Sequence, residues 1–181
     1  MVQNAQMATS GSRQPAPSSG PVSARPVVPD DDVFLLALFA ESRPELALLP
    51  EPARQQLIEL QFRAQRAQYR SDAPDAVDWL LELDRDGTVQ PVGRCYLLQA
   101  DDQHRLLDLT IATEFRSHGL GTAVLGRLCS MAGAARVPLR LSVWQDNAGA
   151  IRLYQRLGFR AEPADGEPTG YLGLRWAAGG A

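Results

Sequence analysis

The chain has 181 residues, 45% of them hydrophobic, which is enough for one domain with its own core. Its net charge of −3 and isoelectric point near 5.4 argue against a nucleic-acid partner, since its 18 basic residues, all arginine, are dispersed. No apolar segment approaches the roughly 18 residues of a membrane span, and the N-terminal segment lacks the apolar centre of a secretory signal. We therefore expect a cytoplasmic protein without a membrane partner.

Residues 1–26 are rich in proline, serine and alanine, and this composition predicts a disordered tail. We expect the folded domain to cover residues 27–177 and residues 178–181 to form a flexible C-terminus. The domain begins with two predicted helices. Three aspartates before the apolar run 33–40 indicate a short helix. A longer helix is predicted over Pro52 to Arg70, where a proline near the start precedes apolar residues on one side.

Five segments have the alternation or apolar character of strands. They are Trp79–Asp84, Val89–Leu98, Leu106–Ile111, Leu139–Trp144 and Tyr171–Trp176. Asp86-Gly87 predicts a hairpin turn between the first two strands, and Gly93 indicates a bulge or a close backbone approach. A loop with Pro163, Gly166 and Pro168 precedes the last strand. His104 is expected at a solvated turn.

A turn with two glycines, Arg116–Gly121, follows the strand Leu106–Ile111 and leads into a helix with Val124 and Leu128 on its apolar face. Such a turn directs free backbone N–H groups and the positive end of a helix dipole at one point, where a pyrophosphate fits. The turn lacks the Gly-Lys-Ser/Thr ending of a Walker A loop. An ordinary connection between strand and helix is the alternative, and the glycines alone do not decide between the two.

A second motif follows the strand Leu139–Trp144. Asp146 or Asn147 can cap a helix that runs to Leu157, and Gly158 ends that helix in the usual left-handed position. The chain therefore runs strand, anion turn, helix, strand, helix.

Together the two motifs resemble the GNAT-type N-acetyltransferase superfamily. Residues 116–121 (RSHGLG) are similar to its acetyl-CoA pyrophosphate loop, Arg/Gln-x-x-Gly-x-Gly/Ala. Residues 147–159 are similar to its Asn-x-x-Ala-x-x-Leu-Tyr-x-x-Leu-Gly-Phe signature. The resemblance covers about Trp79 to Trp176. It implies an α/β fold with a mixed, mostly antiparallel sheet of six to seven strands, splayed at a central parallel pair, with helices on both faces.

The resemblance also implies an acetyl-CoA site and no metal. The pantetheine arm is expected to enter between the two parallel strands and to pair with the main chain of Leu109 and Ile111. The backbone amides expected to hold the pyrophosphate are those of Arg116, Ser117, His118, Gly119, Leu120, Gly121 and Thr122. Asn147 is expected to hydrogen-bond the cofactor arm, a role compatible with capping a helix.

Tyr154 matches the helix tyrosine of the family and is the candidate proton donor to the departing thiolate; a core aromatic is the alternative. Because side chains alternate along a strand, Asp108 and Thr110 share one face, and Asp108 is the leading candidate for the base. Glu82 on a neighbouring strand could cooperate with it. For each carboxylate a structural or surface role is the alternative. Further acceptor contacts are expected from Gln65 and Tyr69 on the second helix.

The sequence therefore favours an N-acetyltransferase that moves an acetyl group from acetyl-CoA directly to a primary amine of a small molecule or a protein. Two alternatives stay open: a non-catalytic CoA-binding or interaction module with the same fold, and a transferase that uses a longer acyl-CoA. A homodimeric state is left open as well.

Overall fold

The computed structural model describes residues 22–162 and 170–179 of the chain. In these ranges the α-helices are α1 (Asp32–Glu41), α2 (Ala53–Asp72), α3 (Leu120–Ala135) and α4 (Ala148–Arg156). The strands are β1 (Val22–Pro26), β2 (Val77–Arg85), β3 (Thr88–Gln99), β4 (His104–Ile111), β5 (Leu139–Trp144), β6 (Arg160–Ala161) and β7 (Tyr171–Trp176). Each predicted helix and strand is present, whereas the strands β1 and β6 were not predicted.

The described strands form one seven-stranded sheet in the order β1-β2-β3-β4-β5-β7-β6. Its first four strands are antiparallel neighbours in chain order, joined by short turns such as the predicted one at Asp86-Gly87, where both residues have positive φ. Strands β4 and β5 run parallel, and α3 connects them. The predicted mixed, mostly antiparallel sheet is confirmed.

The N-terminal boundary of the fold lies earlier than predicted. Val22–Pro26, assigned from composition to the tail, is an edge strand that pairs along its whole length with β2. Val22 is buried, and Arg25 lies 3.0 Å from Glu82 and 2.8 Å from Asp31 in two ion pairs. The β2 partners, Glu82 among them, are distant in sequence, so local composition gave no sign of them. Residues 1–21 and the loop 163–169, with its predicted turn residues, lie outside the described ranges.

Helices cover both faces of the sheet, as predicted. Leu80 of β2 packs in a cluster with Phe39 of α1 and Phe62 of α2. The next residue, Leu81, belongs to the main core together with Val124 of α3. Because adjacent strand residues point to opposite faces, α1 and α2 lie on one side of the sheet and α3 on the other. Among the described helices, none is long and apolar enough to cross a membrane.

The central parallel strands separate partway along their length. β4 and β5 pair only where residues 104–106 meet residues 139–141. Beyond that point, β4 still pairs with β3 and β5 still pairs with β7, so their facing edges diverge. This is the predicted splay. A bulge that the sequence did not indicate lies beside it, because Leu106 pairs with Leu97 and Asp108 pairs with Tyr96, leaving Leu107 without a register partner on β3.

Gly93 is a site of close backbone approach, as predicted. A Cβ at this position would collide with the carbonyl oxygen of Thr110 on β4. The register of β2 and β3 also shifts next to it, between Leu81 and Glu82. Glycine therefore lets β3 approach the part of β4 that borders the gap.

Candidate active site

The edge of β4 that faces the gap carries backbone groups directed away from β3. The amide of Ala112 donates to the carbonyl of Val92 on β3, at 2.9 Å. Because backbone groups alternate between the two neighbours of a strand, the amides of Leu109 and Ile111 point toward β5, from which β4 has separated. These are the two residues predicted to pair with a cofactor arm. The carbonyl of Ile111 is already used, since it accepts a hydrogen bond from Nε of Arg116 at 2.8 Å.

The glycine turn forms a pocket of backbone amides at the start of α3. Ser117 and Gly119 have φ of +64° and +79°, the left-handed region that glycine adopts without strain. Gly119 is the N-cap of α3, and as a glycine it has no side chain with which to cap the helix. The first helical backbone hydrogen bond runs from the amide of Ala123 to the carbonyl of Gly119. The amides of the first helical turn therefore have no partner within the helix.

A cavity of about 410 Å³ lies over these amides. Its floor is the turn and the end of β4, and α4 supplies a further wall made of Gly149, Leu153 and Arg156. Sequence reasoning missed these three residues as site residues, although their spacing puts them on one face of α4. Arg156 adds a cation to the positive end of α3. An anion is therefore the ligand that suits this cavity.

Two predicted ligand residues have local roles in the structure. Nδ1 of His118 lies 2.8 Å from the carbonyl oxygen of Arg116, so the ring folds back onto its own turn. Oδ1 of Asn147 accepts from the amide of Ala150 at 3.1 Å and caps α4 as predicted.

A cleft of about 530 Å³ lies on the opposite face of the sheet, between α2 and the point where β4 and β5 separate. Gln65 and Tyr69 of α2, the residues expected to contact an acceptor, line it together with Ser142 of β5. The hydroxyl of Tyr69 lies 3.4 Å from the carbonyl oxygen of Leu107, the bulged residue. Tyr69 also stacks on Tyr96, with ring centroids 5.1 Å apart.

Arg94 of β3 is a buried arginine on the same side of the sheet as this cleft. Only 4% of the Arg94 side chain is exposed, and its guanidinium forms two bonds of 2.7 and 2.8 Å with the carboxylate of Asp78. Its Nη1 lies 3.7 Å from Oδ2 of Asp108, and its guanidinium also faces the rings of Tyr96 and Tyr69. Burial opposes the charge of Arg94, but the bonds with Asp78 keep its pKa raised. Arg94 is therefore a fixed cation.

Asp108 lines a smaller cavity of about 140 Å³ that also borders Gln65 and Thr110. Its side chain is 23% exposed, and Thr110 Oγ1 donates to its Oδ1 at 3.0 Å. Burial raises the pKa of Asp108 above that of an ordinary aspartate, while Arg94 and the Thr110 bond oppose the rise. The carboxylate is consequently a stronger base than a solvated aspartate.

Tyr154 lies on α4, packed edge-to-face against Phe159 with ring centroids 5.5 Å apart. Burial, with a smaller contribution from the negative charge of Asp108, raises the pKa of Tyr154 to about 12. Its phenol is therefore protonated at neutral pH and can donate a hydrogen bond.

The model of the acetyltransferase (GNAT) family matches residues 39–159, two thirds of the chain, including both motifs and the separating strands. The chain belongs to the GNAT acetyltransferase family. Members of this family are acyltransferases that use acetyl-CoA, which supports a CoA-type co-substrate.

Solved structures share the fold of this GNAT protein. An acetyltransferase from Thermus thermophilus has a TM-score of 0.60 at 24% identity, covering 88% of this chain and 99% of that one. The paia N-acetyltransferase from Thermoplasma acidophilum, solved with coenzyme A, has a TM-score of 0.59 at 19% identity, with coverage of 86% and 98%. The ribosomal-protein-S18-alanine N-acetyltransferase from Escherichia coli has a TM-score of 0.56 at 19% identity, with coverage of 88% and 96%.

Two sequence-based expectations for this GNAT protein are not met by the structure. Glu82 does not join Asp108, because it forms an ion pair with Arg25 at the β1 edge. His104 is buried at the start of β4 rather than solvated, and burial lowers its pKa. The carboxylate in register with Asp108 across β3 is Asp78, which sequence reasoning missed.

We expect Arg94→Met to lower the free energy of unfolding by about 3–5 kcal/mol, because two partly buried carboxylates lose their cation. The loss should be larger at pH 8 than at pH 5. Without Arg94 the pKa of Asp108 rises further, so the native state binds more protons than the unfolded chain and stability falls as pH rises. Denaturant unfolding at both pH values measures the effect.

Arg63→Met is the matched control, because Arg63 is exposed and, in the described part of the chain, pairs only with Glu59 on its own helix. Its effect should stay within about 0.5 kcal/mol at either pH. Equal losses in the two variants would contradict the assigned role of Arg94.

Proposed function

We propose that this protein is an N-acetyltransferase that moves an acetyl group from acetyl-CoA directly to a primary amine. The observation that carries the proposal is the gap between β4 and β5. Cavities reach β4 on both faces of the sheet, one over the amides of the glycine turn and the other beside Asp108. A donor bound on one face and an amine bound on the other would meet at this gap.

Acetyl-CoA supplies an activated thioester and a diphosphate. The left-handed Gly119 and the unpaired amides of Leu120, Gly121 and Thr122 suit the diphosphate, and Arg156 adds a compensating charge. The amides of Leu109 and Ile111 offer pairing to the pantetheine arm, as an edge strand does to an added strand. Asn147 stands at the start of the α4 wall and serves the same arm.

The reaction forms a C–N bond and breaks the C–S bond. Asp108 accepts the proton that the attacking amine loses, and its raised pKa favours that transfer near neutral pH. Backbone N–H groups at the gap stabilise the charge that develops on the carbonyl oxygen. The phenol of Tyr154, protonated at neutral pH, donates a hydrogen bond to the departing sulfur. Gln65, Tyr69 and Thr110 border the acceptor.

Gly119→Glu tests the donor site. A side chain at a φ of +79° is strained, and its charge would repel a diphosphate. We expect calorimetry to show CoA affinity reduced at least ~100-fold, about 2.7 kcal/mol. Gly126→Glu is the matched control, because a Cβ at Gly126, within the same helix, meets no atom within 4 Å. Similar losses in both variants would remove the turn from the proposed site.

Asp108→Asn tests the base. We expect kcat/KM for amine acetylation to fall by about 10²–10⁴ at pH 7, with CoA affinity unchanged because Asp108 lies on the acceptor face. The wild-type kcat/KM should rise with pH as Asp108 and the amine lose their protons, and the variant should keep only the dependence on the amine. Asp101→Asn, at an exposed turn, is the control. An unchanged kcat/KM and pH profile in Asp108→Asn would leave Asp108 with a structural role.

Tyr154→Phe removes only the hydroxyl and keeps the ring packed on Phe159. We expect a lower kcat with little change in CoA affinity, because the lost hydrogen bond forms as the sulfur departs. Stopped-flow turnover and CoA calorimetry on the same preparation separate these effects. A kcat equal to that of the wild type would assign Tyr154 to the core alone.

An acetyl-transfer assay and a CoA-binding assay together distinguish the transferase from a non-catalytic module. Acetyl transfer to any amine in a broad panel supports the enzyme. CoA binding without transfer to any amine favours the module, and the absence of CoA binding rejects both.

A further inference from the structure

Among the residues that the structure describes, Arg43 is a cation without a carboxylate partner at the acceptor side. It follows α1 and is half-buried, with its guanidinium carbon 4.8 Å from the centroid of the Phe39 ring. Its Nη1 lies 3.4 Å from the carbonyl oxygen of Ser42. These contacts place the guanidinium itself against the end of α1. Within residues 22–162 and 170–179, no carboxylate oxygen lies within 4.0 Å of its guanidinium nitrogens.

Arg43 and Asp108 border the same inner cavity of about 140 Å³. Arg43 also borders the larger cleft beside α2, so it lies beside both the cleft and the inner cavity. The charge of Arg43 acts on Asp108, because it lowers the pKa of that carboxyl against the effect of burial. The two side chains therefore present opposite charges to one small volume.

Arg94, the other arginine that lines the cavity, does not occupy the carboxylate of Asp108. Both bonding nitrogens of Arg94 are used by Asp78, and its nearest distance to Asp108 is 3.7 Å, beyond hydrogen-bond length. Asp108 is thus free to accept a hydrogen bond from a bound amine. Gln65 and Thr110 add neutral polar groups to the lining of the same cavity. A diamine would bring its second cation against Arg43, which costs binding energy.

We propose that the acceptor is a small amine that also carries a carboxylate, with the amine directed at Asp108 and the carboxylate at Arg43. This inference rests on the proposed acetyl transfer. Arginine suits the second role because its planar guanidinium binds a carboxylate through two parallel hydrogen bonds. The positions of the two charges then select the substrate class, and the apolar and amide walls of the cleft accommodate the chain between them.

The test compares 4-aminobutanoate with its matched amide, 4-aminobutanamide, and with the diamine putrescine. Glycine and β-alanine against their amides extend the comparison to shorter spacings. We expect kcat/KM to be at least ~10-fold higher for the carboxylates, and Arg43→Gln to remove this preference chiefly through KM. A tenfold ratio corresponds to about 1.4 kcal/mol. Arg43→Lys should keep part of the preference. The control Arg63→Gln, on the exposed face of α2, should keep all of it.

A binding measurement separates this inference from the proposed function. We expect N-acetyl-4-aminobutanoate to bind the CoA-saturated protein by calorimetry, and Arg43→Gln to weaken that binding at least ~10-fold. Acetylation of the amides or of putrescine in preference to the carboxylates would overturn the inference and leave the transferase standing. A preference that persists in Arg43→Gln would also overturn it. If no amine is acetylated, the transferase fails, and binding of the acetylated product still decides the role of Arg43.

Discussion

The parting of β4 from β5 is the constraint on which the rest of the structure depends. A central parallel pair normally satisfies its backbone groups by pairing along its whole length, and here the pairing stops at Leu106 and Leu141. The diverging edges leave backbone amides directed into a gap within the sheet. The flanking elements hold the gap open: β3 follows β4 closely because of Gly93, and β7 remains paired with β5. A ligand that adds backbone-like hydrogen bonds is the natural occupant.

The two faces of the sheet give this gap two different chemical surroundings. On the α3 side, an unstrained left-handed glycine, free helical amides and Arg156 form a site for an anion. On the α1–α2 side, Arg94 and Asp78 form an ion pair whose two charges balance. Asp108 remains as a carboxylate with a raised pKa. The pKa of Tyr154 on α4 is raised by burial and, to a smaller extent, by the negative charge of Asp108. One layer of backbone thus separates a site for an anion from a carboxylate with a raised pKa.

Charge pairing is the basis of the proposed selectivity for the acceptor. Among the described residues, most of the buried or half-buried arginines near the sheet already have an acidic partner, as Arg94 has Asp78 and Arg25 has Asp31. Arg43 has none, although the face of Phe39 supports it. A carboxylate brought by the substrate would complete that pairing, which is the physical basis for the proposed acceptor class.

The sequence by itself determined the features that depend on neighbouring residues. The glycine turn, the Asn147 cap and the hairpin at Asp86-Gly87 are local, because each needs only a few consecutive residues with particular backbone preferences. Tertiary structure decided the features that join distant segments. Four such features depend on contacts with residues far along the chain, which a local sequence pattern does not predict. They are the edge strand β1, the Arg94–Asp78 pair, the bulge at Leu107 and the burial of His104. Ion pairs in particular form across strands and helices, so the Asp78 partner of Arg94, and the lack of a carboxylate partner for Arg43 among the described residues, became visible only in the folded chain.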